Sequence, residues 1–457
     1  MKLRPLFPSQ ETLGIHTDLY ELTMLAAYFE AGFAEERATF ELFARRLPAR
    51  RGFLVAAGLE QALHQVLNLR FPEDVLAWLR TLEVFRGVSP GFFDYLRDFR
   101  FNGDLWALPE GTPFFPHEPV LQVRAPVMEA QLLETYLIAS ISYQTTVATK
   151  ASLLCRAARG RPVIDFGSRR AQGPQAGLLA ARASFIGGCA GTSNVLAGYR
   201  LGLPLYGTMA HSFIQFFDDE RCAFETFQRS FPRHTILLVD TYDTLRGVRN
   251  ALTLTSPAQG VRVDSGDLDR TARAARKLLD QSGHHETRIL VSGDLDPERV
   301  KALTEAEAPI DGYGVGTDLV VCPEAPTCDL VYKLVERLHE GRALPRMKIS
   351  GEKGSFPLRK ELYRRREGRE FVGDLLAAEG EAALDGYSPL LVKYAEGGET
   401  NTDLPTVRQV RDYARTQLDG LPERLWRPEG EAYPVRHSPR LRKAERSLRR
   451  SHLGDRR

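Results

Sequence analysis

Residues 288–318 read RILVSGDLDPERVKALTEAEAPIDGYGVGTD, and their pattern decides the fold class. An apolar run rich in β-branched residues at 288–291 stops at Ser292, Gly293 and Asp294. A helical pattern follows at 297–306, and a second such run at 312–315 stops at Gly316 and Thr317. Strand, helix and strand in that order make a parallel crossover unit. The same texture begins near residue 160. Further runs at 163–166, 203–206, 235–239, 260–263 and 330–335 each lead into a polar stretch. Helical patterns at 171–183, 243–252 and 268–281 fill gaps between them. Repetition without reversal, with polar residues at nearly every strand end, favours a closed α/β barrel over an open sheet.

Upstream, the first ~135 residues read as a mixed α/β region. Residues 19–29 have helical spacing after Thr17 and Asp18, 39–47 are strand-like, and 54–65 are helical again. The aromatic stretch 78–101 is expected to pack helices together. Downstream of 345, strands are expected at 371–373 and 390–394. The expected domains are an N-terminal region 1–135, a barrel 136–349, a segment 350–435 returning to the N-terminal region, and a flexible basic tail 436–457.

Composition narrows the class. Of 457 residues, 43% are hydrophobic and 26% charged, a globular mixture. No run approaches the ~20 apolar residues of a membrane span, and the start lacks a secretory pattern. Five scattered cysteines fit a reducing compartment, so a cytoplasmic protein is expected. Net charge is +2, but residues 436–457 hold nine Lys or Arg against two acids. Such a tail is a nucleic-acid candidate, though a solvated terminus is the plainer reading, and no nucleic-acid or membrane partner is expected.

The strand ends carry the chemistry. They read DFGSRR at 165–170, GTMAHS at 207–212, DTYD at 240–243, RVDSGD at 262–267, SGD at 292–294 and GVGTD at 314–318. Glycine turns offer backbone N–H groups to phosphate, arginine binds phosphate or carboxylate, and aspartate holds Mg²⁺ or sugar hydroxyls. Together they point to a phosphorylated sugar substrate. Each residue has a plainer reading: Asp264 and Asp267 as helix caps, His211 as a core histidine, Arg169 and Arg170 as a surface pair. Convergence on one rim is what favours function. No Walker loop, zinc signature or paired C-x-x-C is present, and Cys322 and Cys328 read as structural thiols.

Seven motifs in one order resemble the nicotinate phosphoribosyltransferase family. They are TDLYELTM (17–24), FELFARRLP (40–48), DFGSRRAQGP (165–174), GTSNVLAG (191–198), GTMAHSF (207–213), VRVDSGDL (261–268) and GVGT (314–317). The resemblance runs from about residue 10 to about residue 395. It implies an irregular α/β barrel beside a smaller α/β domain built from both chain ends. It also implies a homodimer in which one chain's N-terminal segment faces the other's barrel. The implied reaction joins nicotinate to 5-phosphoribosyl 1-diphosphate, giving nicotinate mononucleotide and diphosphate in NAD salvage. ATP is the implied co-substrate, hydrolysed through a phosphorylated histidine, with Mg²⁺ assisting.

Carried over by position, the resemblance gives His211 as the phosphorylated histidine. Tyr20 and Thr208 fall on nicotinate contacts, Arg262 on a substrate-binding arginine, and Phe166 where relatives stack an aromatic on the pyridine. Arg169 is placed for the ring or the 5′-phosphate, Asp264 for the ribose hydroxyls, and Gly293, Gly316 and Thr317 for phosphate. His211, Asp264 and Arg262 form the implied catalytic set. Nicotinamide-using relatives carry Asp where this chain has Ser193, and a buried carboxylate there would repel nicotinate. Two alternatives remain at this level: a quinolinate-using relative, and a catalytically silent member that binds a nucleotide.

Overall fold

The parallel sheet is assembled from the β-branched runs that the sequence marks out. The computed structural model describes residues 9–349, 354–400, 403–427 and 432–453. Six strands lie in the order Gly191–Thr192, Val163–Asp165, Gly312–Val315, Arg288–Ser292, Gly260–Val263 and Ile236–Leu238. Every ladder in this sheet is parallel, with Val291 opposite both Val263 and Tyr313, and Val315 opposite Asp165. Val261, Val263, Ile289, Val291, Tyr313 and Val315 are fully buried. That continuous apolar character is what a parallel sheet requires.

Helices between the strands present one apolar face. In Leu268–Gln281 the buried residues are Leu268, Ala272, Ala275 and Leu279, a helical stripe. Three of these crossover helices begin on an aspartate: Asp243, Asp267 and Asp296 accept the backbone N–H of Arg246, Arg270 and Arg299. Such caps contribute about 1 kcal/mol each and bring helix starts to the rim where the strands end. The capping reading therefore holds for Asp267.

Two compact units divide the chain, Met1–Thr146 with Thr327–Arg457, and Val147–Pro326. The first boundary falls inside the helix Glu134–Ala157 rather than at residue 135. The unit made from both chain ends is the larger of the two, not the smaller as expected. Its main sheet runs Arg342–Pro345, Leu330–His339, Arg37–Ala44, Pro119–Pro126, Asp104–Ala107 and Val392–Ala395. The aromatic stretch supplies its core, with Phe85, Phe92, Phe93 and Phe99 buried, while Trp78 stays exposed. Among the described residues no helix is long and apolar enough to cross a membrane.

Several expectations are corrected. The run 330–335 is not part of the parallel sheet. It belongs to Leu330–His339, which pairs antiparallel with Arg37–Ala44. Its two hydrogen-bonding edges are taken by Arg37–Ala44 and Arg342–Pro345, which leaves neither for the parallel sheet. The run 203–206 contributes a single bridge, Thr192 to Leu205. Residues 54–65 split into a short strand, Leu54–Val55, and the helix Leu59–Asn68.

The basic tail is ordered through Leu453, and 454–457 lie outside the described residues. Val435–His437 pairs parallel with Glu370–Ala378, and the helix Pro439–Leu453 packs on that strand with Leu441 fully buried. Charge counting hid an apolar face formed by Leu441, Ala444 and Leu448 at helical spacing.

This C-terminal strand carries a pH-sensitive contact. His437 stacks on Phe356 at 4.1 Å, and His117 meets the same ring edge-on at 5.6 Å. Burial lowers the His437 pKa from 6.5 to about 4, with His117, Arg442 and Lys360 adding to the shift and Glu445 opposing it. The unfolded chain thus takes up a proton that the folded chain refuses. Stability is full above pH 6.5 and is lost as pH falls toward 4. Allowing for partial exposure, His437 accounts for about 1–2 kcal/mol at pH 5. Melting temperatures at pH 7 and pH 5 should fall further apart for the unaltered protein than for His437→Phe; equal falls would contradict this.

Candidate active site

The site grows from one buried carboxylate at a strand end. Asp165 is fully buried. Its Oδ1 accepts the Gly167 N–H at 2.8 Å and its Oδ2 the Thr192 hydroxyl at 2.7 Å. The Ser193 N–H donates to the Asp165 carbonyl at 2.9 Å. Burial pushes the Asp165 carboxyl up, while the hydrogen bonds from the Thr192 hydroxyl and the Gly167 N–H pull it down. The arrangement joins the turn bearing Phe166 to the turn bearing Ser193. Asn194 extends it, capping the helix Val195–Leu201 through Ala197 N–H and donating to Ser168 Oγ at 3.0 Å.

Phe166 lies over a glycine. A Cβ at Gly314 would come within 2.5 Å of the Phe166 ring, so only glycine leaves room for it. Facing the ring, the Arg262 guanidinium carbon stands 5.9 Å from its centroid. The Arg262 side chain is only 13% exposed. One terminal nitrogen donates to Thr208 Oγ1 at 2.7 Å, and the other is 3.9 Å from Asp264 Oδ1. Its Nε is buried without a hydrogen-bond partner in the protein. Burial lowers the Arg262 pKa, and Asp264 and Asp240 oppose that shift. A desolvated cation with an unused donor is a ready partner for an anionic ligand.

Asp264 and His211 complete the rim. The backbone N–H of Asp264 and the Ser265 hydroxyl both donate to Asp240 Oδ2, at 2.9 and 2.7 Å. The Ser292 hydroxyl donates to Asp264 Oδ1. His211 opens the short helix His211–Gln215. Its Nδ1 is 3.1 Å from Thr241 Oγ1 and its Nε2 is 3.8 Å from Asp264 Oδ2. His211 is therefore a half-exposed rim residue and not a core histidine.

These residues surround a cleft of about 800 Å³ at the carboxyl ends of the strands. Phe166, Arg169, Ser193, Thr208, His211, Arg262, Asp264, Gly293, Gly316 and Thr317 all line it. Arg170, Asp294, Asp296 and Asp318 line it as well. Tyr20 belongs to the other unit, where it sits exposed on the helix Leu19–Glu30. Its hydroxyl pKa is raised to about 12, by burial first and then by Glu134 and Glu21.

Asp165, Thr192, Asp240 and Thr241 were not singled out in the sequence, because each acts through another residue. All four stand in strand ends or motifs that the sequence marks, Asp165 in DFGSRR, Thr192 in GTSNVLAG, and Asp240 and Thr241 in DTYD. Among the described residues no three His, Cys, Asp or Glu side chains group as metal ligands.

Gly293 has a packing reason beyond any ligand. Its φ is +95°, and a Cβ there would run into the carbonyl oxygen of Asp264. Gly293→Ala should therefore cost about 1–3 kcal/mol in denaturant unfolding. An unchanged midpoint would show that the close approach is not required.

Comparison with known proteins bears on the same residues. Residues 15–142 match the family described as the nicotinate phosphoribosyltransferase (NAPRTase) N-terminal domain. The chain is 46% identical over 441 residues to a nicotinate phosphoribosyltransferase of Mycobacterium tuberculosis, covering 94% of this chain and 93% of the relative. It is 39% identical over 386 residues to one of Bacillus subtilis, covering 82% and 78%. The crystal structure of human nicotinic acid phosphoribosyltransferase superposes with a TM-score of 0.84 at 30% identity, covering 94% of this chain and 99% of that one. With nearly its whole length aligned at that identity, the chain belongs to the nicotinate phosphoribosyltransferase family.

Proposed function

We propose that the protein transfers the phosphoribosyl group of 5-phosphoribosyl 1-diphosphate to the ring nitrogen of nicotinate, in NAD salvage. The observation that carries this reading is the buried Arg262 guanidinium beside Phe166, with an unused Nε. It offers an anionic aromatic acid both a ring surface and a charge. On the same rim, Gly293, Gly316 and Thr317 supply turns for phosphate.

In the reaction a bond forms from the pyridine nitrogen to the anomeric carbon as that carbon's bond to diphosphate breaks. Positive charge develops on the ribose, so positioning and electrostatics supply most of the rate. Asp264 serves the ribose hydroxyls and Phe166 holds the pyridine. The family implies Mg²⁺, and the oxygen donors on this rim suit a hard cation held largely by the diphosphate. Asp264 and Asp294 would hold it, and when bound it neutralises charge on the leaving group.

ATP coupling through His211 belongs to the same proposal. With the ring proton on Nδ1 and donated to Thr241, Nε2 carries the lone pair that attacks the γ-phosphorus, with the bond to ADP breaking. Water later cleaves the phosphorus–nitrogen bond.

The strand order supports barrel closure. From Val163–Asp165 the chain advances through Thr192 to Leu205, then resumes at Ile236–Leu238 on the far edge and returns strand by strand. A homodimer is supported by the apolar surface directly after Ser193, where Tyr199 is 87% exposed beside Val195 and Leu196. Tyr20 would then come from the second copy. A cytoplasmic location suits these substrates.

The test is product formation from phosphoribosyl diphosphate and Mg²⁺ with nicotinate, nicotinamide or quinolinate, with and without ATP. Nicotinate mononucleotide should form selectively, faster with ATP, and His211→Ala should lose the ATP effect. No nucleotide from any base would favour the silent relative instead. Ser193→Asp should depress nicotinate use by about tenfold or more through like-charge repulsion; unchanged kinetics would remove Ser193 from the account.

A further inference from the structure

Lys150 is a buried lysine paired to Asp318, a residue of the cleft lining, and the proposed reaction gives it no task. It lies in the helix Glu134–Ala157 and its side chain is 2% exposed. Its Nζ stands 2.5 Å from Asp318 Oδ2 and 2.8 Å from Glu324 Oε1. The two acids bracket one short element: Asp318 is the second residue of the helix Thr317–Val321, and Glu324 follows its end.

That helix serves the site on two sides. Gly316, Thr317 and Asp318 at its start line the cleft. Its other face backs the turn that carries Phe166 and Arg169. A Cβ at Gly167 would strike the Val320 side chain, and the Phe166 N–H donates to the Val315 carbonyl at 2.8 Å. Cys322, at φ +49°, ends the helix in a left-handed residue and turns the chain toward Glu324.

We propose that Lys150 is a positioning residue for the phosphoribosyl substrate. It clamps both ends of the helix Thr317–Val321, and it neutralises a carboxylate that would otherwise face the substrate's phosphates. The inference rests on the cleft being a phosphoribosyl site. Burial holds the Asp318 carboxyl above its usual range, Lys150 opposes that shift, and Glu324 adds to it. Removing the ammonium leaves two partly buried acids side by side, and a buried pair broken on one side is strongly unfavourable. The Gly316 and Thr317 turn then shifts or repels phosphate, while Phe166 and Arg262 keep further supports that Lys150 does not touch, Asp165 for the turn and Thr208 for the guanidinium.

The test uses the full chain and reads both substrates. Lys150→Met should raise KM for phosphoribosyl diphosphate about tenfold or more, with smaller changes in nicotinate KM and in kcat. Calorimetric binding of phosphoribosyl diphosphate alone should weaken in step. Lys150→Arg should restore most of the loss, and Glu324→Gln, which keeps the contact to Asp318, should fall between. If Lys150→Met does not fold, Glu324→Gln and Lys150→Arg carry the test. Unaltered binding in Glu324→Gln, or parallel losses for both substrates that track melting temperature, would overturn the inference. Wild-type turnover with no selective effect in the variants would overturn it alone. A wild-type chain that neither binds phosphoribosyl diphosphate nor makes nucleotide would overturn it together with the proposed function.

Discussion

Keeping a guanidinium out of water at the end of a parallel strand is the constraint around which this molecule is arranged. Arg262 meets three groups at once: the Thr208 hydroxyl, the Asp264 carboxylate at the end of its own strand and the face of Phe166. Each neighbour is fixed by something deeper. Phe166 needs the glycine at 314, Asp264 hangs on Asp240, and the Phe166 turn hangs on the buried Asp165. A low-dielectric surround strengthens every one of these contacts and makes an unmatched charge costly. It also suits the cluster to an anionic aromatic acid.

Much of the parallel sheet was legible because its strands are short β-branched runs bounded by polar turns. The series 260–263, 288–291 and 312–315 falls within a residue of the observed strands. Failures came where pattern and partner separate. Residues 330–335 look like another strand of the series, yet their partner is Arg37–Ala44, nearly three hundred positions away. Nothing in local periodicity encodes that pairing. The tail misled for a related reason: its charges are plain, while its ordering depends on Leu441 and on a strand partner in Glu370–Ala378.

At the site, the residues with motif character were the readable ones, and ten of the eleven line a single cleft. The others act through a neighbour. Asp165 acts by holding two turns together, Thr241 by orienting His211, and Lys150 by holding a helix from beneath. An Asp just past a strand end reads in sequence like any helix cap, which is what Asp267 is and Asp264 is not. Tyr20 shows the opposite case: its motif is clear, but it belongs to the other compact unit, and its place in the reaction depends on the proposed second copy.

In the proposed complex the strand-end cleft holds the pyridine against Phe166 and Arg262 and the phosphate at the neighbouring glycine turns. A crystal structure of the protein with nicotinate mononucleotide tests it most directly. The expected pose has the ring stacked on Phe166, its carboxylate near Arg262 or Ser193, and the 5′-phosphate on the glycine turns or Arg169. A mononucleotide bound outside this cleft, or with ring and phosphate exchanged, would contradict it.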